Sequence, residues 1–258
     1  MQSLLVGRQS HQFIDGFESS SWEYEWSLEF NLLKWEHVKF SRERMKCSLQ
    51  TTNPVFIIYI PKTDSVKYLR MKLESSLRWN DNIIYIFNKA SSRLRYIRGT
   101  ILPTLPQLRA KAYTTLVRPI LEYAATVWDG SLTQTQAVKL EAVQRRAART
   151  VYNIPRTDHQ TSTTQLIDQL SWQTLDTRRN CRRLGLFRAI RFNEVATDMT
   201  EYIQLHPHSG GTRRHCQQYL IPHCNTDLHK KSFFISTAKL WNNLVSDCTL
   251  LVGPPVAG

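Results

Sequence analysis

The sequence is poor in the features that mark most enzyme classes. Its 258 residues hold only nine glycines and no P-loop, dinucleotide-binding or G-x-S-x-G pattern, so nucleotide-loop and serine-hydrolase chemistry have no footing. The five cysteines, Cys47, Cys181, Cys216, Cys224 and Cys248, are odd in number and dispersed, which fits reduced thiols better than a disulfide framework, and no structural disulfide is expected. No C-x-x-C pair occurs. His206, His208, His215, Cys216, His223, Cys224 and His229 are chemically able to bind zinc, but the adjacent His-Cys doublets point their side chains apart, and no metal site is expected. Long apolar runs are missing too. The longest, Val55 to Ile60, is far too short to span a bilayer, and MQSLLVGRQS lacks the apolar core of a secretory signal. The expectation is an intracellular protein, in nucleus or cytoplasm, with no membrane partner. Acid is the last scarcity: 21 Asp and Glu stand against 34 Lys and Arg, a formal net charge of +13.

A hydrophobic content of 41% is enough to build a core, so the chain should fold rather than stay disordered. The positive excess lies mostly between residues 89 and 191, which favours a polyanionic partner, nucleic acid first. The clearest periodicity spans Leu105 to Tyr152. In its second half Leu140, Val143, Ala147 and Val151 share one arc at 100° per residue, with Lys139, Arg145, Arg146 and Arg149 on the other side. In its first half Leu108, Ala112, Leu116, Ile120, Tyr123 and Val127 recur every three or four residues, and Pro119 predicts a kink or a split. Upstream, Ile83, Ile86 or Phe87, Ala90, Leu94 and Ile97 mark a further helix carrying Lys89, Arg93, Arg95 and Arg98, closed by Gly99 and Pro103. Three helices, at 80–98, 105–128 and 134–152, are thus expected to form a small bundle.

Before them the chain looks mixed. WEYEWSLEFN from Trp22 has a helical stripe, while HVKF, NPVFIIYIP and VKYLRMKL are β-branched and aromatic like strands. Residues 1–21 show no clear period and are expected as an unstructured leader. Residues 160–204 return to helix, with Leu175, Leu184, Phe187 and Ile190 among six arginines of SWQTLDTRRNCRRLGLFRAIRF. From His206 onward Gly, His, Pro and Ser predict loops.

Several short signatures occur in the order found in reverse transcriptases of non-long-terminal-repeat retrotransposons, the jockey-like, LINE-type endonuclease/reverse-transcriptase polyproteins. SLEFNLLKWE resembles the segment after the active-site strand, with Asn31 and Lys34 matching. DSVKYLRMKLESSLRWNDNI resembles the primer-grip hairpin, usually Lys-Tyr-Leu-Gly-Val, with Lys67, Tyr68 and Leu69 matching. LVRPILEYAATVWD at 116–129 and KLEAVQRRAART at 139–150 resemble thumb segments, and QQYLIPHCNTDLHKKSFFISTAKLWNNL at 217–244 the region beyond. The resemblance covers roughly residues 22 to 247. It implies a C-terminal fragment with this organisation: leader 1–21, palm remnant with primer-grip-like hairpin 22–78, thumb-like helical bundle 79–152, post-thumb helical region 153–204 and loop-rich C-terminal region 205–258. The fold class expected is α+β, mainly α.

The resemblance also sets the functional expectations. Lys34 inherits an approach to the departing pyrophosphate, and Lys67, Tyr68 and Leu69 a contact to the primer. Two departures weaken the inheritance: Arg70 stands where the family has a bend-forming glycine, and the chain has no Asp-Asp dipeptide to hold the family's two Mg²⁺ ions. No catalytic residue and no cofactor are therefore expected in this chain. What remains is binding of RNA, DNA or an RNA–DNA hybrid through phosphates, by Lys89, Arg93, Arg145, Arg146 and Arg149 on the bundle and by Arg178, Arg179, Arg182 and Arg183 in RRNCRR. Open strand edges of a palm remnant add an expectation of self-association. The competing readings are a basic α-helical RNA- or DNA-binding module and an inert product of a decayed mobile element.

Overall fold

The computed structural model describes residues 63–155, 157–158, 160–200, 202–206 and 218–249, with short stretches at 3–6, 11–13, 27, 36–39, 50–52 and 57–59. The chain divides into two compact units, Met1–Tyr85 and Ile86–Gly258. It is mostly helical, with small antiparallel sheets in the first unit, which agrees with the expected mainly-α composition. The boundary falls after Tyr85, inside a helix, not at the expected residue 78. The residues beyond it form the second unit.

In the first unit, β1 (Ser3–Val6) pairs with β2 (His11–Phe13) and β3 (Glu36–Lys39), and β4 (Gln50–Thr52) pairs with β5 (Ile57–Tyr59). Strands β1 and β2 lie where a leader without structure was expected; at three or four residues they are too short for alternation to register in sequence. The HVKF and NPVFIIYIP expectations correspond to β3 and β5. Of the WEYEWSLEFN helix only Ser27 is described, and Lys34 lies outside the described residues.

VKYLRMKL forms a hairpin, as its likeness to a hairpin segment implies and not the single strand its composition suggests: β6 (Ser65–Tyr68) pairs with β7 (Met71–Glu74), with Val66 opposite Leu73 and Tyr68 opposite Met71. Its two-residue turn puts Leu69 at φ 43° and Arg70 at φ 66°. Positive φ at both central positions is the type I′ requirement, normally met by Asn-Gly. The bend that a glycine would give freely is thus made here by a leucine and an arginine. The hairpin seats the next helix: Glu74 Oε1 accepts from the Asp81 amide at 2.9 Å, and Asn82 Oδ1 accepts from the Lys72 amide at 3.1 Å.

The second unit is built from α1 (Asn80–Thr100, which begins in the first), α2 (Pro106–Ala112), α3 (Arg118–Glu122), α4 (Ala125–Trp128), α5 (Gln134–Val151), α6 (Thr163–Gln169), α7 (Leu175–Arg191), α8 (Asp227–Lys230) and α9 (Phe233–Thr249). The α1 stripe is as expected: Ile83, Ile86, Ala90, Leu94 and Ile97 are buried. So is that of α5, where a Thr133/Gln136 capping box starts the helix and Leu140, Val143, Ala147 and Val151 are buried. Helix α5 packs on α2, α6 and α7, and α7 packs also on α4 and α9.

The segment 105–128 departs from its expectation. Ala112 is buried as expected, but Leu108, Leu116, Tyr123 and Val127 are exposed, and Arg109, Tyr113, Val117, Leu121, Ala125 and Trp128 are buried instead. The stripe is displaced because the chain is not one regular helix. A π turn over Tyr113–Val117 precedes Pro119, at the place where the proline ring would otherwise clash with the preceding turn. The break comes later than Pro119, where Tyr123 is extended and Ala124 is left-handed at φ 50°. The C-terminal region also differs, since α8 and α9 occupy residues expected as loops. Ile235 and Ala238 of α9 join Phe187, Ile190, Met199, Ile203, Tyr219 and Cys224 in a second core.

A buried polar relay ties α5 to its neighbours. The Tyr113 hydroxyl donates to Gln144 Oε1 at 3.0 Å, Gln144 Nε2 donates to the Gln173 carbonyl at 2.9 Å, and the Tyr113 ring stacks on Trp172. Burial pushes the Tyr113 hydroxyl far above its ordinary range, so it acts only as a neutral donor. Replacing Leu69–Arg70 by Asn–Gly is expected to stabilise the hairpin by about 1–2 kcal/mol, because two left-handed residues lose their steric penalty. Urea denaturation checks it, and an unchanged midpoint contradicts it. Tyr113→Phe is expected to cost about 1–3 kcal/mol by leaving Gln144 Oε1 unsatisfied, measured the same way.

Candidate nucleic-acid interface

Helix ends set the geometry here. Arg109, only 2% exposed, donates from Nε and Nη2 to the Ile101 carbonyl at 3.0 and 2.8 Å and from Nη1 to the Thr150 carbonyl at 2.7 Å. One buried guanidinium thereby caps the C-terminal ends of both α1 and α5. The turn after α5 closes in the Schellman manner, with Asn153 at φ 55° and the Ile154 amide donating to the Arg149 carbonyl at 2.9 Å.

Between the two helix ends lies a cavity of about 570 Å³ whose lining includes Arg95, Arg98, Arg146, Arg149 and the turn residues Asn153 and Pro155. No acidic side chain among the described residues lines it. A shallower hollow of about 470 Å³ continues along α5 past Lys139 and Arg145, sharing Arg146 and Arg149. Together they make one cationic trough. Arg146 donates to the Ala142 carbonyl and to Ser91 Oγ, and it lies over the Phe87 ring, as does Lys139 at 4.7 Å. With two cations on its ring, Phe87 is not an open platform for base stacking. Arg149 donates to the carbonyls of Pro155 and Asp158. The Asp158 carboxylate is itself turned to the Thr161 hydroxyl and to the amides of Gln160 and Thr161, which hold it below its usual range, with a lesser pull from Arg149.

Helix polarity alone does not account for this charge. Each helix C-terminus carries about half a negative charge, so two ends attract about one positive charge. Arg109 already supplies it from inside. Arg95, Arg98 and Arg149 form no ion pair among the described residues, so their charge is surplus to the fold.

Of the residues expected at the interface, Arg145, Arg146 and Arg149 line the trough. Lys89 and Arg93 are exposed but sit on the far side of α1 from Ser91 and Leu94 at 100° per residue. Arg95 and Arg98 take their place. Lys67, Tyr68 and Leu69 belong to the hairpin of the first unit, where Lys67 and Lys72 both approach the Tyr85 ring and Leu69 is exposed.

The arginines of RRNCRR require a correction. Arg179 is fully buried and pairs with Asp129 at 2.6 Å; Arg183 pairs with the other oxygen of Asp129 at 3.2 Å and donates to Ser236 and Thr237. A guanidinium without solvent exposure cannot meet a phosphate, so neither serves as a nucleic-acid contact. Arg178 pairs with the buried Glu122, and Arg182 reaches the same carboxylate at 2.7 Å while its side chain remains 51% exposed. Leu175, Arg179, Arg183 and Phe187 fall at every fourth position, so two arginines occupy the inward stripe of α7. Gly130, next to Asp129, lets the backbone approach the segment between α8 and α9, since an added Cβ would stand 2.6 Å from the Lys231 carbonyl.

Among the described residues no group of three His, Cys, Asp or Glu side chains is placed to hold a metal ion; His208, His215 and Cys216 lie outside them. Cys181 is exposed, while Cys224 is buried and donates to the Pro222 carbonyl. No described helix is long and apolar enough to cross a membrane. No protein-family model, curated protein or solved structure matches the chain.

Asp129→Ala is expected to cost about 3–5 kcal/mol, because it strands two buried guanidiniums, whereas Arg98→Ala should stay within about 0.5 kcal/mol. Paired chemical-denaturation curves check the contrast. Equal losses at the two positions would remove the division of the arginines into structural and surplus sets.

Proposed function

We propose that the helical unit binds the phosphate backbone of RNA, DNA or an RNA–DNA hybrid along the trough between α1 and α5, as the thumb-like part of a reverse transcriptase of the non-long-terminal-repeat retrotransposon type. One observation carries the reading: guanidiniums from two helices converge on a single hollow with no acid among the described residues that line it. The resemblance of residues 116–129 and 139–150 to thumb segments supports the same use. Arginine forks suit phosphate oxygens, and contacts of this kind give affinity without sequence preference. Covered on its ring by Lys139 and Arg146, Phe87 holds two cations at the surface and offers no stacking site. Polymerase chemistry is not assigned to the chain. Self-association through strand edges of the first unit belongs to the same reading.

A second reading, a helical module whose arginines serve only its own packing, is favoured by Arg109, Arg179 and Arg183, which are spent entirely inside. Binding to a labelled RNA–DNA hybrid across a salt series separates the two. With six cations, Lys139, Arg95, Arg98, Arg145, Arg146 and Arg149, available to phosphates, log affinity against log salt should fall with a slope of about −5, and Arg95→Ala/Arg145→Ala should make it shallower by about 2. No binding at low salt by a protein that still melts cooperatively would sink the first reading and leave the second.

A further inference from the structure

The two parts of the trough differ in a way that points past general backbone binding. The outer hollow mixes Lys139 with arginines and is shallow. In the inner cavity the cations are all arginine, and its wall includes the turn Asn153–Pro155. A strand laid along α5 meets that turn and the capped helix ends at Ile101 and Thr150.

We propose that the inner cavity receives a terminal phosphate monoester, the phosphorylated end of a nucleic-acid strand whose following phosphates lie on the outer hollow. The inference rests on the backbone-binding reading of the trough. A monoester carries close to two charges and three free oxygens at neutral pH, against one charge for a backbone diester. Arg95 and Arg98 offer planar forks for such oxygens, Arg146 and Arg149 add positive charge while bonded to their own partners, and the helix ends have already drawn their compensating charge from Arg109. Ser91 Oγ accepts from Arg146, which leaves its own hydroxyl hydrogen for an anion. Arg149 is held by the Pro155 and Asp158 carbonyls, so one fork is oriented before a ligand arrives. A volume of about 570 Å³ takes a phosphate together with its sugar.

The test compares three internally labelled oligonucleotides of one sequence, carrying a 5′-phosphate, a 3′-phosphate or hydroxyls at both ends, against the full chain. One phosphorylated form, or both, should bind about ten-fold more tightly than the hydroxyl form, the worth of one added charge-assisted contact. Whichever end is preferred identifies the source of the monoester. The preference should shrink as pH is lowered through the monoester's second ionisation near about 6. Arg95→Ala/Arg98→Ala, both on the exposed side of α1, should erase the preference while keeping residual binding, whereas Arg145→Ala should weaken all three oligonucleotides alike. Equal affinity for the three with measurable binding overturns the terminal site and leaves the backbone reading standing. Absence of binding to any of them, by protein with an unchanged melt, overturns both. A preference that survives Arg95→Ala/Arg98→Ala also overturns the assignment, since the end is then held elsewhere.

Discussion

Arg109 is the residue on which the arrangement of the bundle turns. Two helices that end side by side bring together carbonyls with no intrahelical partner and two negative dipole ends, an arrangement that repels itself unless a donor stands between them. A buried guanidinium answers both needs at once, because its fixed fork reaches Ile101 on one side and Thr150 on the other. The cost of desolvating that cation is offset only because three of its nitrogens find carbonyls. Once the two ends are fixed together, the last turns of α1 and α5 must share a hollow. The trough is a by-product of that solution.

The arginines consequently divide by environment rather than by sequence neighbourhood. Arg178, Arg179, Arg182 and Arg183 are crowded into one hexapeptide, yet Glu122 takes the two outer ones and Asp129 the two inner ones. Arg95, Arg98, Arg145 and Arg149 are far apart in sequence and arrive on one surface. The first group organises α3, α4, α7 and α9 around two buried carboxylates. The second leaves a positive field at the surface, where it is exposed to solvent and to salt.

Legibility in the sequence followed regularity of backbone. The stripes of α1 and α5 were readable because both helices run without interruption, so 100° per residue keeps its phase from end to end. Between them the π turn at Tyr113–Val117 and the left-handed Ala124 shift that phase, and Leu108, Leu116 and Val127 land outside. Hydrophobicity also cannot register an arginine that faces inward, which is why Arg109, Arg179 and Arg183 were invisible as core. In the site, Arg145, Arg146 and Arg149 could be placed from α5 alone. Arg95 and Arg98 could not be preferred over Lys89 and Arg93 until the approach of α1 to α5 was known, although Ser91 and Leu94 on the same arc were the available signal.

The carboxylate of Asp129 draws its partners from 50 and 54 residues further along the chain, and Arg183 then reaches Ser236 and Thr237 beyond them. During synthesis, therefore, α4 emerges with an acid whose counter-charges have not yet been made. The first three helices can collapse on their apolar stripes, but the pocket around Trp128 cannot close dry until α7 arrives, and Arg183 of α7 lacks its two hydroxyl acceptors until α9 follows. Assembly of the helical unit is ordered by delayed charge pairing at Asp129 and then by hydrogen bonding of Arg183 to the last helix.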